Sequence, residues 1–259
     1  MEFTHTSTGN HSNHEVSYQS PNGYQSYSAL KEERLPFTVK VAQSGDDLEK
    51  AVQIRHAAYA RHVPEIAELL KEPEAFDFDD GSVVLLAESK LDGSALGSMR
   101  IQTNRFQALK LEASVTLPHW LQNQTLSEAA RLGVIGNRVG KIVKILLFKA
   151  YYLYCIQEEI DWMVITARSP VDKDYEMLMF EDVFPDQGYI PMKHDANIEH
   201  RVMAFHVPSA ERLWRTHGHP LYDLVFRTDH PDVDLRHRAI SLKAKIDAMY
   251  PSHDYKVML

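Results

Sequence analysis

One stretch limits the possible folds of this chain more than any other, and it runs from residue 127 to residue 168. Its pattern predicts, in order, a strand (Ala129–Ile135), a loop with Gly136 and Gly140, an apolar helix (Lys141 to about Gln157) and a strand (Trp162–Ala167). A strand that enters a helix through a glycine-containing loop places unpaired backbone N–H groups and the positive end of the helix dipole at one point. Such a point suits a phosphate. We therefore predict an α/β fold with a pocket built around this loop.

Composition limits what such a pocket can belong to. The chain has 259 residues, 44% of them hydrophobic, which is enough to bury the core of one large domain or of one domain with an extension. The formal net charge of −8 argues against nucleic acid or an anionic membrane as the main partner. The single cysteine, Cys155, permits no intramolecular disulfide, so we predict a buried thiol and a reducing, cytoplasmic compartment.

Three regions are predicted along the chain. Residues 1–35 are polar, lack the features of a signal peptide, and are predicted to be a disordered tail. Residues 36–207 are predicted to form the main domain, and residues 208–259 a helical extension. No membrane span is predicted, because the most apolar run, Ile142–Ile156, contains two lysines and is shorter than the roughly 20 residues that cross a bilayer.

The main domain shows a regular succession of helical and strand patterns. Before the central stretch these are a strand (Phe37–Val41), a helix (Asp46–His62), a strand (Ser82–Glu88), a turn (Leu91–Gly93) and a strand (Ala95–Ile101). After it come a helix (Lys173–Phe184) and two closing strands (Gly188–Pro191 and Arg201–Val207). This order resembles the GNAT fold of N-acetyltransferases, which implies a mixed central sheet flanked by helices.

The positions of several charged residues restrict the resemblance to particular families with this fold. They are Arg55 and Tyr59 within Ile54–Tyr59 on the first helix, Asp77-x-x-Asp80 after it, Arg100 on the third strand, and Glu128-x-x-Arg131 at the fourth. Together they resemble the charged framework of the acyl-homoserine-lactone synthases and, more closely, of the FeeM-type long-chain N-acyl amino acid synthases. The similarity covers roughly residues 38–207. It identifies residues 36–207 as a GNAT-like catalytic domain.

The resemblance implies transfer of a medium or long fatty acyl group from a thioester on acyl carrier protein to the α-amine of an amino acid. Under it, Glu128 is the base or orients the amine. Arg131 and Arg100 bind the acceptor's carboxylate or hold the acidic residues in place. The other implied substrate-binding residues are Arg55, Tyr59, Asp77 and Asp80. The alternative interpretation of the charged residues is a structural salt-bridge network.

The sequence of the loop before the central helix indicates which acyl donor is used. Asn137–Ile142 aligns with the phosphate cradle of the CoA-using enzymes and keeps Gly140, but the bulk of Ile142 weakens the case for CoA. We therefore expect the acyl-phosphopantetheine of acyl carrier protein as donor, with acyl-CoA as the alternative. The expected donor-binding residues are Arg138, Gly140, Lys141 and Lys144, and Lys149 is expected to join these cations facing an acidic carrier helix.

Other features bear on the acceptor and on rival functions. His62–Glu65 lacks the tryptophan usual in homoserine-lactone synthases, and Glu74 is one place off their acidic spacing; both departures favour an amino acid acceptor. An acyl tunnel would be lined by Leu146, Phe148, Tyr151, Tyr152 and Met163, which equally suit a core.

The alternative functions are those of a homoserine-lactone synthase, a CoA-dependent acetyltransferase and a non-catalytic acyl-binding protein. No metal is expected, because the sequence has no His-Glu-x-x-His motif.

Overall fold

A computed structural model of the chain describes residues 30–236. The predictions for residues 1–29 and 237–259 lie outside the described residues. The helices of the described part are α1 (Gly45–Ala60), α2 (Pro64–Ala67), α3 (Arg138–Gln157), α4 (Val171–Met177) and α5 (Ala210–Thr216). Its strands are β1 (Lys31–Glu32), β2 (Phe37–Val41), β3 (Ser82–Ser89), β4 (Ala95–Thr103), β5 (Leu126–Val134), β6 (Trp162–Ala167), β7 (Glu181–Asp182), β8 (Ile190–Met192), β9 (Ile198–His206), β10 (Thr228–Asp229) and β11 (Val233–Asp234).

Within residues 30–236 the main sheet has the strand order β11-β2-β3-β4-β5-β6-β9-β7, and β8 joins it through β9. The pairs β11–β2 and β5–β6 are parallel, and the other pairs in this order are antiparallel. The short strands β1 and β10 pair with each other outside this sheet. The sheet is therefore mixed, as predicted.

The alternation of side chains along β3 places one helix on each face of the sheet. Val84 and Leu86 belong to the cluster that α1 covers, whereas Leu85 and Ala87 belong to the cluster that α3 covers. Glycines allow these helices to approach the sheet closely. A Cβ atom at Gly133 of β5 would lie 3.0 Å from the Cα of Arg55 on α1, so α1 and β5 are in near backbone contact.

Helix α3 connects the parallel strands β5 and β6, and it begins three residues earlier than predicted. Asn137 is its N-cap, and the Asn137 side chain accepts a hydrogen bond of 3.1 Å from the Gly140 N–H. Gly140 is thus part of the first helical turn and not of the loop. At the other end, Cys155 is a free, buried thiol, as predicted.

The predicted helix over 173–184 is shorter in the structure. Helix α4 ends at Met177 because Met179 adopts a left-handed conformation with φ of 66°. The Phe180 N–H donates to the Tyr175 carbonyl at 3.0 Å, which is the Schellman arrangement that terminates helices. Beyond this stop the chain forms β7.

The described part of the C-terminal extension is only partly helical. Helix α5 and a single π-turn (Asp223–Arg227) are followed by β10 and β11, and β11 extends the main sheet beside β2. None of the helices in residues 30–236 has the length and apolar character needed to cross a bilayer.

Candidate active site

Glu74 is the centre of a buried cluster of charged side chains on the α1 side of the sheet. Its carboxylate receives two hydrogen bonds from Arg131, from Nε at 2.7 Å and from Nη2 at 2.8 Å. Arg100 donates a third from Nη1 at 2.9 Å. Although burial alone would raise the pKa of Glu74, the hydrogen bonds and charges of Arg131 and Arg100 hold it well below its usual range. Glu74 is therefore ionised and ties two strands together.

Asp77 forms the second anionic centre of the cluster. Arg55 donates to its Oδ1 at 2.8 Å, and Arg100 lies 3.3 Å from the same oxygen. Its other oxygen accepts the backbone N–H of Glu74 at 2.9 Å, so the turn at 75–77 fixes both acids relative to each other. Burial opposes ionisation, but Arg55 and Arg100 lower the pKa of Asp77. Arg55 and Asp77 are almost fully buried, so neither side chain is exposed to a substrate in this structure.

Arg131 joins this cluster to the segment before β9. Its Nη1 lies 2.5 Å from Asp195, and Asp195 in turn lies 3.2 Å from Nε2 of His200. Burial opposes ionisation of Asp195, but its hydrogen bond from His200 and the charge of Arg131 lower the pKa to about 2. Arg131 is itself at a backbone bulge of β5 and has φ of 56°. A left-handed conformation at a non-glycine residue costs about 1–3 kcal/mol and is common at functional sites.

A cavity of about 280 Å³ opens beside this cluster, and we call it the polar cavity because several charged side chains line it. Strands β5 and β6 are paired only from Leu126 to Ala129 on β5, and they separate beyond that point. The cavity lies in the gap. Its lining includes Tyr59, Arg61, Arg100, Arg131, Leu132, Lys144, Thr166, Arg168, Val171, Asp174, Tyr175, His194, Asp195 and His200.

A second, apolar cavity of about 630 Å³ lies between α3 and α4 and is bordered by the turn at 219–221. Its lining includes Met99, Ile145, Phe148, Tyr151, Met177, Leu178, Pro220 and Leu221. The two cavities share a wall made of Leu132, Lys144, Val171, Asp174 and Tyr175. A polar chamber therefore adjoins an apolar one at the point where β5 and β6 diverge.

Glu128 lies behind the polar cavity and is not among the described residues that line it. Its side chain is 2% exposed, and its Oε2 accepts the Leu111 N–H at 3.3 Å. Burial raises the pKa of Glu128 to about 7. The charge of Lys110 acts on Glu128, and burial and the charge of Arg100 lower the pKa of Lys110 to about 8. The pair of shifted groups is typical of catalytic sites.

The structure brings together most of the residues predicted for the substrate site. Arg55, Arg100, Asp77 and Arg131 are in one ion-pair cluster, and Tyr59 lines the cavity that this cluster borders. Asp80 is different: it is exposed, and its carboxylate takes part in none of the ion pairs found within residues 30–236.

Sequence reasoning missed Glu74, which it treated as out of register, and it missed Lys110 and Asp195. It considered His194 and His200 only as metal ligands, and within residues 30–236 no group of three His, Cys, Asp or Glu side chains is placed to hold a metal ion.

The predicted donor-binding residues divide into two groups. Arg138 and Lys141 are exposed at the start of α3, whereas Lys144 pairs with Asp174 at 2.6 Å. The expectation for Lys149 was wrong. It is 3% exposed and donates to the backbone carbonyls of Leu224 and Thr228, so it cannot face a carrier helix.

Gly140 also has a packing function. A Cβ atom at this position would lie 1.9 Å from the Ile135 carbonyl oxygen, so only glycine allows the loop to fold onto the helix. Of the residues predicted for an acyl tunnel, Phe148 and Tyr151 line the apolar cavity. The other three, Leu146, Tyr152 and Met163, belong to the buried core.

Solved structures with this arrangement of elements are known. The fold is similar to that of FeeM, an N-acyl amino acid synthase from uncultured soil microbes, with a TM-score of 0.53 and 14% identity; the match covers 70% of this chain and 96% of that one. It is also similar to BjaI, a CoA-dependent acyl-homoserine lactone synthase, with a TM-score of 0.50 and 14% identity over 81% of this chain and 99% of that one. This is the GNAT fold.

The predicted fold class is thus confirmed, and the structural neighbours are of the two kinds that the charged residues indicated. No protein-family model and no curated protein matches the sequence. At 14% identity the likeness establishes the GNAT fold and not the reaction. The reaction has to be argued from the site.

Proposed function

We propose that this protein is an N-acyltransferase that moves a medium or long fatty acyl group from an acyl carrier protein thioester to the α-amine of an amino acid. The observation that carries this proposal is the shared wall between the polar and the apolar cavity. A thioester held at that wall has its hydrocarbon chain in the apolar cavity and its carbonyl carbon facing the polar one. Burial of the chain supplies binding free energy of about 0.8 kcal/mol per methylene group.

The reaction needs no enzyme nucleophile. The amine nitrogen attacks the thioester carbonyl carbon, the C–N bond forms, the C–S bond breaks, and the donor leaves as a free thiol. The Cys155 thiol is unsuited to attack, because burial raises its pKa to about 12. Beyond Ala129 the backbone of β5 is unpaired with β6 in the described structure, so N–H groups on that edge are free to stabilise the oxyanion.

The surface beside the start of α3 fits a carrier protein as donor. Arg138 and Lys141 are exposed there, next to the apolar side chains of Val139 (40% exposed) and Ile142 (50% exposed). A mixed cationic and apolar surface complements an acidic amphipathic helix. Arg61 lies over Gly136 in the same region and donates to the Val134 carbonyl at 2.6 Å. It is well placed for the single phosphate of a phosphopantetheine arm.

The acceptor's carboxylate requires a cation in the polar cavity, and we assign this role to Arg168. The guanidinium groups of Arg131 and Arg100, for which the resemblance implied this role, are already engaged by Glu74, Asp77 and Asp195. Arg168 lines the cavity at the end of β6, and within residues 30–236 it forms no ion pair with a carboxylate. Arginine binds a carboxylate through two parallel hydrogen bonds, which would orient the amine.

Mass spectrometry of lipid extracts tests this function. Cells that overproduce the full chain are expected to accumulate a new series of N-acyl amino acids, and cells that produce Glu128→Gln are expected to lack it. The masses would identify both the acceptor and the acyl chain length. If neither strain accumulates such amides and the purified protein forms none from acyl carrier protein thioesters, the proposed function is refuted and an acyl-binding protein is favoured.

Two further arms separate the rival enzymes. Protection of the fold against heat by acetyl-CoA would favour a CoA-dependent acetyltransferase, because a ligand that binds only the folded state stabilises it. Formation of an acyl-homoserine lactone in the same extracts would favour a lactone synthase. The proposed enzyme is expected to show neither.

A further inference from the structure

Glu128 is the only predicted base of the site, yet it cannot reach a substrate. A general base has to lie within about 3 Å of the atom that bears the proton, or be connected to it through one water molecule. Glu128 is almost fully buried and is absent from the described lining of the polar cavity. Its Oε1 is buried and has no hydrogen-bond partner among the described residues. A carboxylate oxygen without a partner in the interior is costly, so we looked for a nearby group that could donate to it.

His194 lies between Glu128 and the cavity. It belongs to the short turn Lys193–Asp195 and lines the polar cavity, and its Nε2 is 4.0 Å from Glu128 Oε1. Its Nδ1 is buried and has no hydrogen-bond partner among the described residues, so it meets a substrate only if the turn at 193–195 shifts when the substrate binds. The tautomer that carries its proton on Nε2 therefore offers a donor to Glu128 and leaves Nδ1 as an acceptor. Catalytic hydrogen bonds are often long in the free enzyme and shorten when substrate binds.

We propose that His194 and Glu128 form a proton relay, in which His194 is the catalytic residue and Glu128 the residue that acts through it. The inference rests on the proposed function. The substrate ammonium gives one proton to Nδ1 while the Nε2 proton passes to Glu128, and the free amine then attacks the thioester. The second amine proton goes to the departing thiolate, so the products are an amide and a thiol. Glu128 then returns its proton to Nε2 while Nδ1 releases its proton to water, which restores the starting tautomer of His194.

The charges around the pair suit these roles. Burial lowers the pKa of His194 to about 4; Asp195 acts in the opposite direction, and Lys110, Arg131 and His200 lower it further. The imidazole is therefore neutral at physiological pH. Burial raises the pKa of Glu128 to about 7, with Lys110 and Arg100 opposing it, so its carboxylate becomes available as the pH rises through this value. A neutral imidazole beside an ionised carboxylate is the state that the relay requires.

The backbone holds His194 in place. Ala196 and Asn197, which follow the turn, have φ angles of 53° and 59°, and two consecutive left-handed non-glycine residues are costly. The turn is fixed from both sides, because the Lys193 N–H donates to Ser114 Oγ at 2.9 Å and Asp195 binds Arg131. This cost is consistent with a segment selected for the position of a side chain.

Kinetics of the full-length enzyme test the catalytic role. The rate of acyl transfer from an acyl carrier protein thioester is measured against pH for the wild type, His194→Gln, His194→Ala and Glu128→Gln. We expect the wild-type rate to rise through a pH of about 7, and Glu128→Gln to lose this rise. His194→Gln is expected to lower kcat at least about 100-fold with an unchanged melting temperature, and added imidazole to restore part of the activity of His194→Ala. Full activity of His194→Gln would overturn the proposal.

A second measurement is independent of turnover and separates this inference from the proposed function. Imidazole ¹⁵N NMR of the wild type is expected to show His194 in the Nε2–H tautomer, with an Nε2 shift that changes as Glu128 ionises near pH 7. Glu128→Gln is expected to abolish that change. If His194 and Glu128 are coupled but the protein acylates no amine, the proposed function alone is refuted. If the Nε2 shift does not change when Glu128 ionises, the relay itself is refuted.

Discussion

At the scale of single residues, the arginines of the site differ in whether they already bind a carboxylate of the protein. Arg100 on β4 and Arg131 on β5 bind Glu74, and Arg100 also binds Asp77. These ion pairs hold the two strands against the turn at 75–77. Removing one partner of a buried ion pair typically costs about 3–5 kcal/mol, so substitutions in this cluster will change stability before they report on chemistry. We propose Arg168, which lines the polar cavity, as the cation that binds the substrate.

Arg168→Gln tests that assignment. We expect KM for the amino acid acceptor to rise at least about tenfold, because one charge-assisted carboxylate interaction is lost. KM for the acyl donor should change little, and so should the melting temperature, because Arg168 has no ion pair to lose within residues 30–236. Steady-state kinetics with each substrate varied in turn make the measurement. An unchanged acceptor KM would show that another group binds the carboxylate.

Glu128→Gln should also change how stability depends on pH. The folded-state pKa of Glu128 is about 7, above its ordinary value of 4.5, so between these values the folded protein binds more protons than the unfolded chain. Wild-type stability therefore loses a contribution as the pH rises from about 4.5 to about 7, up to about 3 kcal/mol at full ionisation.

The glutamine variant has no such titration, while every other group is common to both proteins. The difference in unfolding free energy between variant and wild type should thus shift in the variant's favour between about pH 4 and about pH 8, by urea denaturation. A difference that stays constant with pH would contradict a raised pKa.

At the scale of elements, two neighbouring glycines have different reasons to be glycine. A Cβ at Gly140 would lie 1.9 Å from a backbone oxygen, whereas a Cβ at Gly136 would lie 3.3 Å from the flexible side chain of Arg61. We expect Gly140→Ala to lower the unfolding free energy by about 3 kcal/mol and Gly136→Ala by less than about 1 kcal/mol. Chemical denaturation of both variants makes the comparison, and equal effects would show that the close approach at Gly140 is not a constraint.

How far the sequence could predict these elements depends on how local their causes are. The alternation in β3 and the apolar run in α3 depend on neighbouring residues, so both elements were predicted. Glu74 was missed because its partners, Arg100 and Arg131, lie 26 and 57 residues further along the chain. Lys149 was misplaced because the carbonyls that bind its ammonium come from 75 and 79 residues away. Contacts between residues so far apart in sequence produce no periodic pattern in the sequence.

At the scale of the whole molecule, the apolar cavity should set the length of the acyl chain. Ile145 lines this cavity, whereas Ile142, three residues earlier on α3, is half exposed to solvent. Ile145→Trp fills part of the cavity, and we expect the products to shift to acyl chains shorter by two or more carbons. Ile142→Trp is the matched control and is expected to leave the chain length unchanged. Product masses report the outcome, and an unchanged distribution in Ile145→Trp would place the acyl chain elsewhere.

Transfer of an acyl group to an amine is the central claim, and a reconstituted reaction tests it most directly. The purified full-length protein is incubated with a long-chain acyl carrier protein thioester and a mixture of amino acids, and both free thiol and new amides are quantified. We predict N-acyl amino acids in equal amount to the released thiol, and a much slower reaction with Glu128→Gln. Thiol release without any amide, or no reaction with either carrier protein or CoA thioesters, would contradict the account.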